Sequence, residues 1–299
     1  MTAPRTYLSF GGGTQSSAIA MLAINRDERL LRVTGGQVPE LYIFADVGDE
    51  PKALYPHLAD MQRRIEASGA RYATVYTALG NLGDHIIHAA LNGYHRAEQL
   101  PFFVRKEESD FPILNVPGWN DWGYGPIRRR CTPHFKVKPL TAYARAHFGV
   151  YRGKTFDGAP VHMQLGISAD EMQREKCGKV YKQEWSEYKN PLIEMNWHRA
   201  DCINYLIEQG IVPRRSACVY CPFHSMKEWR EVAKVPEDWA RVLQVDDALE
   251  VAATNGAFGL ENPPYLNRYG VRMRDLDLTE PDDPQTVLWD NECGGVCGV

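Results

Sequence analysis

Two sets of residues in this chain have the types and spacing for chemistry. The first is sulfur. Cys218 and Cys221 stand two residues apart in SACVYCPFH, with Pro222 behind them. A C-x-x-C pair serves zinc, an iron–sulfur cluster or a redox couple. Cys131 lies far upstream in RRRCTPH, and Cys293 and Cys297 fall in NECGGVCGV, the last residues of the sequence. Zinc calls for four Cys or His ligands in a tetrahedron. An iron–sulfur cubane calls for four ligands, or three with one open iron. Cys131, Cys218 and Cys221 supply three, and Cys293 or Cys297 is a candidate fourth ligand or a working thiol. His134 and His224 each follow a cysteine by three residues and are candidate ligands or packed side chains. Cys202 sits among apolar residues of a helical segment and reads as a buried structural thiol. Cys177 lies in a Lys-rich loop.

The second set is built on glycine. In YLSFGGGTQSSAIAML, residues 7–22, Gly11, Gly12 and Gly13 follow a short apolar run and precede a helix-like one. Tyr7 to Phe10 suit a buried strand, and Ala18, Ile19, Met21 and Leu22 suit one face of a helix. Thr14, Ser16 and Ser17 are candidate caps for that helix. Such a junction aims several backbone N–H groups at one point with the helix dipole behind them, which makes an anion site. Glycine is expected there for positive φ and close approach of a ligand. The segment is neither the dinucleotide pattern G-x-G-x-x-G nor a Walker A loop.

Charged residues cluster near both sets. Arg128, Arg129 and Arg130 precede Cys131, with Lys136 and Lys138 beyond it. Guanidinium groups pair bidentately with phosphate, so this strip is a candidate for binding substrate phosphate. Asp170, Glu171 and Arg174 follow a strand-like run. Trp119, Trp122 and Tyr124 beside the basic strip are the candidate platform for a nucleic acid.

The elements that must position these groups alternate. Residues 40–46 read as a second buried strand ending in acids, Asp46, Asp49 and Glu50. A helix is expected over 53–67, a third strand over 70–78 and a helix over about 79–92. Residues 94–130 are irregular. A helix is expected from about Pro133 to Gly149, a strand over 161–167, and helices over 198–210 and 238–253. Alternating strands and helices give a parallel sheet covered on both faces, with ligands beyond the carboxyl ends of its strands. The 299 residues are 44% hydrophobic and 24% charged, an ordinary globular composition. The net charge of -4 argues against general coating of nucleic acid and leaves room for a local basic groove. The start MTAPRTYLSF lacks a signal pattern, and no apolar run approaches the roughly 20 residues a bilayer span requires, so a cytoplasmic location is expected.

Taken in order, these segments resemble a known family. SFGGGTQSS resembles the PP-loop of adenine nucleotide alpha hydrolases, usually S-G-G-x-D-S. FADVGDE, RCTPHFKVKPL, LGISADEMQR, NPLIEMNWHRADCINYLIEQGI and CVYCPF resemble successive segments of its phosphoadenosine phosphosulfate (PAPS) reductase-like branch. ECGGVCG resembles the cysteine-bearing tail of sulfonucleotide reductases. The resemblance implies a Rossmann-like α/β fold: a PP-loop nucleotide-binding domain over 1–235, holding Cys131 and the C-x-x-C segment, and a C-terminal helix and cysteine-bearing arm over 236–299. It implies an adenine nucleotide, ATP or else PAPS or adenosine phosphosulfate, with magnesium, on Phe10, Gly11, Gly12, Gly13, Thr14, Gln15, Ser16, Ser17, Phe44, Asp46 and Gly166. It implies phosphate contacts from Arg128, Arg129, Arg130, Lys136 and Arg174, and catalytic roles for Cys293, Cys297, Asp170 and Glu171. It also implies a [4Fe-4S] cluster on Cys131, Cys218, Cys221 and Cys293. The activity implied first is ATP-dependent adenylation with pyrophosphate release, coupled to sulfur transfer onto a nucleic acid, with a sulfur-donor protein as partner. The alternatives are sulfonucleotide reduction to sulfite and a nucleotide-binding module without catalysis. The chain departs from the pattern at Gln15, where the PP-loop has Asp, at Gly11, where it has Ser, and at Arg130, where adenosine phosphosulfate reductases have a second cysteine.

Overall fold

The structure is a computed structural model that describes residues 5–105, 124–151, 158–174 and 184–279. Five strands form one parallel sheet in the order β3-β2-β1-β6-β7. They are β1 (Thr6–Ser9), β2 (Leu41–Ala45), β3 (Arg71–Val75), β6 (Val161–Gln164) and β7 (Ser186–Lys189). Strands β4 (Phe103–Arg105) and β5 (Tyr124–Pro126) form a separate antiparallel pair. The helices are α1 (Thr14–Ile24), α2 (Glu28–Thr34), α3 (Leu54–Ala67), α4 (Leu82–Asn92), α5 (Lys138–His147), α6 (Pro191–Glu194), α7 (Arg199–Glu208), α8 (Met226–Ala233) and α9 (Pro236–Leu249).

Strands β1 and β2 in the middle of the sheet are buried throughout because both their faces are covered, whereas the edge strands β3 and β7 expose Arg71 and Glu187; successive side chains point to opposite faces. Leu8, Phe10, Tyr42 and Phe44 pack with α1, α3 and α7 on one face. Tyr7, Leu41, Ile43 and Ala45 pack with α5 on the other. Helix α1 is buried all round from Thr14 to Ala23, not along one face as its apolar spacing implied. It lies against α2, α3 and α7, which leaves it no solvent side.

A third core lies off the sheet. It joins Ile86 of α4, Phe135, Tyr220, Trp229 of α8, Val242 and Leu249 of α9, and Met273. The expected boundary at 235/236 falls between α8 and α9, which share this core. Residues 280–299 lie outside the described part.

Local chemistry explains where the elements differ from expectation. The helix expected from 79 starts at Leu82, because the Asn81 side chain caps it by accepting the Asp84 N–H at 3.0 Å. The helix expected from Pro133 opens as a π-helix, Thr132–Val137, before α5. Such turns are rare and often carry functional side chains, and this one carries Lys136. Helices α2, α6 and α8 and strand β7 are too short to declare a period. No helix among the described residues is long and apolar enough to cross a membrane.

Candidate functional site

The strand order reverses at β1, whose neighbours are β2 on one side and β6 on the other. Ligands of open parallel sheets bind at such a point, beyond the carboxyl ends of the strands. A cavity of about 540 Å³ lies there, lined by the glycine loop, the ends of β2 and β6, and the starts of α7 and α8. Its size suits a nucleotide-sized ligand.

Phe10, Gly11, Gly13, Thr14, Gln15 and Ser16 line this cavity, whereas Gly12 and Ser17 do not. The three glycines do different work. Only Gly12 has a positive φ, +72°, and a Cβ there would meet Leu58 Cδ2 at 2.7 Å, so it turns the chain over the apolar core and does not make room for a ligand. The close approach falls on Gly166 instead. A Cβ there would lie 2.8 Å from the Ser16 backbone nitrogen. Gly166 therefore lets the end of β6 seat directly against the start of α1.

The hydroxyls expected to cap α1 are engaged elsewhere, and its N-cap, Gly13, makes no side-chain cap bond. Thr14 Oγ1 donates to the Arg214 carbonyl at 3.0 Å. Ser16 Oγ donates to the Gly13 carbonyl at 3.1 Å. Ser17 Oγ pairs with His57 Nε2 at 3.0 Å. The first N–H groups of α1, at Thr14, Gln15 and Ser16, have no intrahelical acceptor and remain for an anion.

His57 beneath the loop has its pKa lowered below the ordinary imidazole value, first by burial and then by Arg214. The unfolded chain therefore takes up a proton that the folded chain refuses. This contribution is complete above pH 6.5 and is lost as pH falls toward the folded value. Urea unfolding at pH 7.0 and pH 5.5 is expected to show lower stability at the acid pH. The single imidazole adds at most about 1.4 kcal/mol per pH unit to that loss. His57→Gln is expected to shrink the difference, and an unchanged difference would remove His57 from it.

Of the expected acids, Glu171 lines the cavity and Asp170 does not. Glu171 accepts from Gln15 Nε2 at 3.2 Å and from Arg174 Nη1 at 2.7 Å. Gln15, which stands where the PP-loop has Asp, thus holds a carboxylate as an amide donor. Asp170 accepts the Arg199 backbone N–H at 3.2 Å and so serves the start of α7. Phe44 lines the cavity, while the Asp46 carboxylate accepts the Gly48 N–H at 2.7 Å and closes its own turn.

The arginine run is not at this cavity. Arg130 pairs with Glu98 at 2.7 Å, and the Arg129 guanidinium lies 4.7 Å from the centre of the Phe223 ring. Arg128 is exposed. The cavity's cations are Lys136, Arg174, Arg199, Arg215 and Lys227. Arg199, Arg215 and Lys227 were not legible as site residues. The one signal was Arg214-Arg215, separated from the C-x-x-C pair by Ser216 and Ala217.

A second, smaller cavity gathers Cys131, Cys218 and Cys221 with Arg129 and Lys136. Cys218 and Cys221 are buried and Cys131 is half-buried. A hydrogen bond with Cys221, burial and the nearby Cys221 and Cys131 thiols push the Cys218 thiol well above its ordinary value. Among the described residues, no three Cys, His, Asp or Glu side chains form a group that could hold a metal ion. The thiols are of the right kind for an iron–sulfur centre and share one cavity, but they are not drawn into a ligand cage. Cys293 and Cys297 lie outside the described residues, as do Cys177, Trp119 and Trp122. His134 Nδ1 lies 3.2 Å from Glu98, and His224 Nε2 donates to the Cys218 carbonyl at 3.0 Å, so both rings have other partners. Burial pushes His224 down to about 3 and keeps it neutral. Cys202 is buried in α7, and burial pushes its thiol up to about 12.

Lys136 lines both cavities. Its Nζ lies 3.2 Å from Glu50 Oε1, and the other oxygen of Glu50 accepts from Ser216 Oγ at 3.3 Å. This ion pair forms part of the wall between the two cavities. No family model matches the chain, and no curated protein matches it.

Proposed function

We propose that this chain is an ATP-using PP-loop enzyme similar to the PAPS reductase-like branch of the adenine nucleotide alpha hydrolases. The observation that carries the reading is one cavity with two contrasting walls. Phe10, Phe44, Leu140 and Met163 offer an apolar shelf for a base, and the start of α1 with Arg174 and Lys136 offers donors for phosphate.

In this reading the α1 amides hold the phosphate chain while an oxygen of the acceptor attacks the α-phosphorus. The bond to the β-phosphate oxygen breaks and pyrophosphate leaves. A sulfur nucleophile then displaces AMP from the activated acceptor, which is a nucleic acid. Glu171, held by Gln15 and Arg174, positions those two side chains around the phosphate. A [4Fe-4S] cluster on Cys131, Cys218 and Cys221, when bound, supplies the sulfur chemistry.

The test is anaerobic purification with iron and acid-labile sulfide analysis, followed by two assays. The reading expects iron, pyrophosphate from ATP, and loss of iron in Cys218→Ser but not in Cys202→Ser. Sulfite from PAPS without pyrophosphate from ATP would make the chain a sulfonucleotide reductase. Nucleotide binding with neither product would make it a binding module. Stoichiometric zinc without iron would remove the cluster.

A further inference from the structure

Outside both cavities, one face of the molecule interleaves rings with guanidinium groups. Phe103 of β4 joins Tyr265 through two backbone hydrogen bonds, at 2.9 and 2.8 Å. The Phe103 ring lies 6.2 Å from that of Phe223, and the Tyr265 ring lies 5.5 Å from that of Tyr124. The Arg129 guanidinium stands 4.7 Å from the centre of Phe223, and that of Arg272 stands 4.5 Å from the centre of Tyr265. Arg105 is opposite Tyr124 in the register of the β4–β5 pair, and Arg128 follows β5 by two residues. Phe223, Tyr124 and Tyr265 are half-buried, so each keeps part of its surface open.

The cations of this face are not all neutralised. Glu98 is held by Arg130 and Asp246 by Arg272. Arg105 and Arg128 are exposed, and among the described residues neither side chain has a hydrogen bond or ion pair. The face also adjoins both cavities. Arg129 lines the small one with Cys131, Cys218 and Cys221. Phe223 follows Cys221 by two residues and precedes Ser225 and Lys227, which line the large one. Cations that track a phosphate chain, set among rings on which bases stack, are the means of holding a single strand. A duplex keeps its base faces stacked on one another and offers the rings nothing.

We infer that this face, with Arg105, Arg128 and Arg129 beside Phe223 and Tyr124, binds a single-stranded nucleic acid and leads it to the two cavities. The inference rests on the reading of a nucleic acid as the sulfur acceptor. It deepens that reading by naming the strand state and the surface. RNA and DNA single strands share the chemistry, phosphates and free base faces, and the test separates them.

Fluorescence anisotropy on the full chain tests it. The probes are labelled oligouridylate and oligothymidylate of about 12 nucleotides, within the span one such surface covers, and a duplex of the same length. The proteins are wild type, the double variant Arg105→Gln/Arg128→Gln, and Phe223→Leu. Both arginines are exposed, so their replacement leaves the fold intact. Wild type is expected to bind a single strand about tenfold or more tighter than the duplex. The double variant is expected to weaken that binding about tenfold and to flatten its log–log salt dependence by about 1.4. Phe223→Leu is expected to weaken it about fivefold or more with the salt slope unchanged. Tighter binding of the uridylate assigns RNA, and tighter binding of the thymidylate assigns DNA. Strand binding that all variants leave unchanged overturns this face while the nucleic-acid acceptor stands. Equal binding of the duplex overturns the single-strand assignment. Polyglutamate that competes as well as unlabelled strand would make the face a dock for an acidic protein and overturn the inference. Wild type that binds ATP in a calorimeter but no strand would overturn the acceptor reading itself, so the failures are distinguishable.

Discussion

Gly166→Ala is expected to weaken ATP binding at least 100-fold. The added Cβ would stand 2.8 Å from the Ser16 nitrogen, 3.1 Å from its Cα and 3.3 Å from the Gln15 carbonyl carbon. These are backbone atoms, so no side chain can swing aside to make room. Either the start of α1 or the end of β6 must move. Overpacking of this kind costs about 1–3 kcal/mol in stability, which a protein of this size survives. The larger effect falls on binding, because the moved atoms are the phosphate donors. A displacement near 1 Å takes N–H donors out of hydrogen-bond range of the phosphate, and misplacement of that size costs a positioned reaction on the order of 100-fold in rate. Gly11→Ala is the matched control. Its Cβ would come no closer than 3.8 Å, to the Ser16 hydroxyl, which is ordinary contact. Calorimetry with ATP and a urea titration on both variants checks the prediction. Wild-type ATP affinity in Gly166→Ala would show that the seat of β6 on α1 does not shape the site.

The second large effect is on stability. Lys136→Met is expected to cost about 3–5 kcal/mol, the usual penalty for leaving a buried charge without its partner. The Glu50 side chain is 0% exposed and faces Lys136 on one oxygen and Ser216 on the other. Removing the lysine leaves one hydroxyl donor for a buried carboxylate. Glu50→Gln in the same chain removes the charge, so the double variant is expected to regain most of the loss. A double-mutant cycle by urea unfolding reads this coupling directly. A single variant within about 1 kcal/mol of wild type would show that the carboxylate finds other donors. The wall between the two cavities would then not depend on this pair.

The sequence was most informative where one element decides the outcome alone. The run Leu41 to Ala45 is apolar at both parities, and that is the mark of a strand covered on both faces. The glycine loop was legible as a strand-to-helix junction. The role of each glycine was not, since Gly12 faces Leu58 and Gly166 faces Ser16 only once the chain is folded. The hydroxyls at Thr14, Ser16 and Ser17 had the composition of a cap, but tertiary partners at Arg214 and His57 engage two of them. The arginines at 128–130 looked like phosphate ligands by adjacency to Cys131. In the fold, Arg130 meets Glu98 and Arg129 meets Phe223. The cations that do line the large cavity come one at a time from separate elements, so no local run announces them. The gathering of Cys131 with Cys218 and Cys221 was anticipated, and it depends on the π-helical turn meeting the C-x-x-C segment in a shared core.

The claim on which the rest depends is that the cavity at the reversal of strand order holds an adenine nucleotide by its phosphate. Titration of wild-type protein with ATP, AMP and adenosine in a calorimeter tests it most directly. The account predicts one ATP per chain, with adenosine at least 100-fold weaker, because the α1 amides and the surrounding cations act only on phosphate. Adenosine binding as tightly as ATP, or no saturable heat from any of the three, would contradict it.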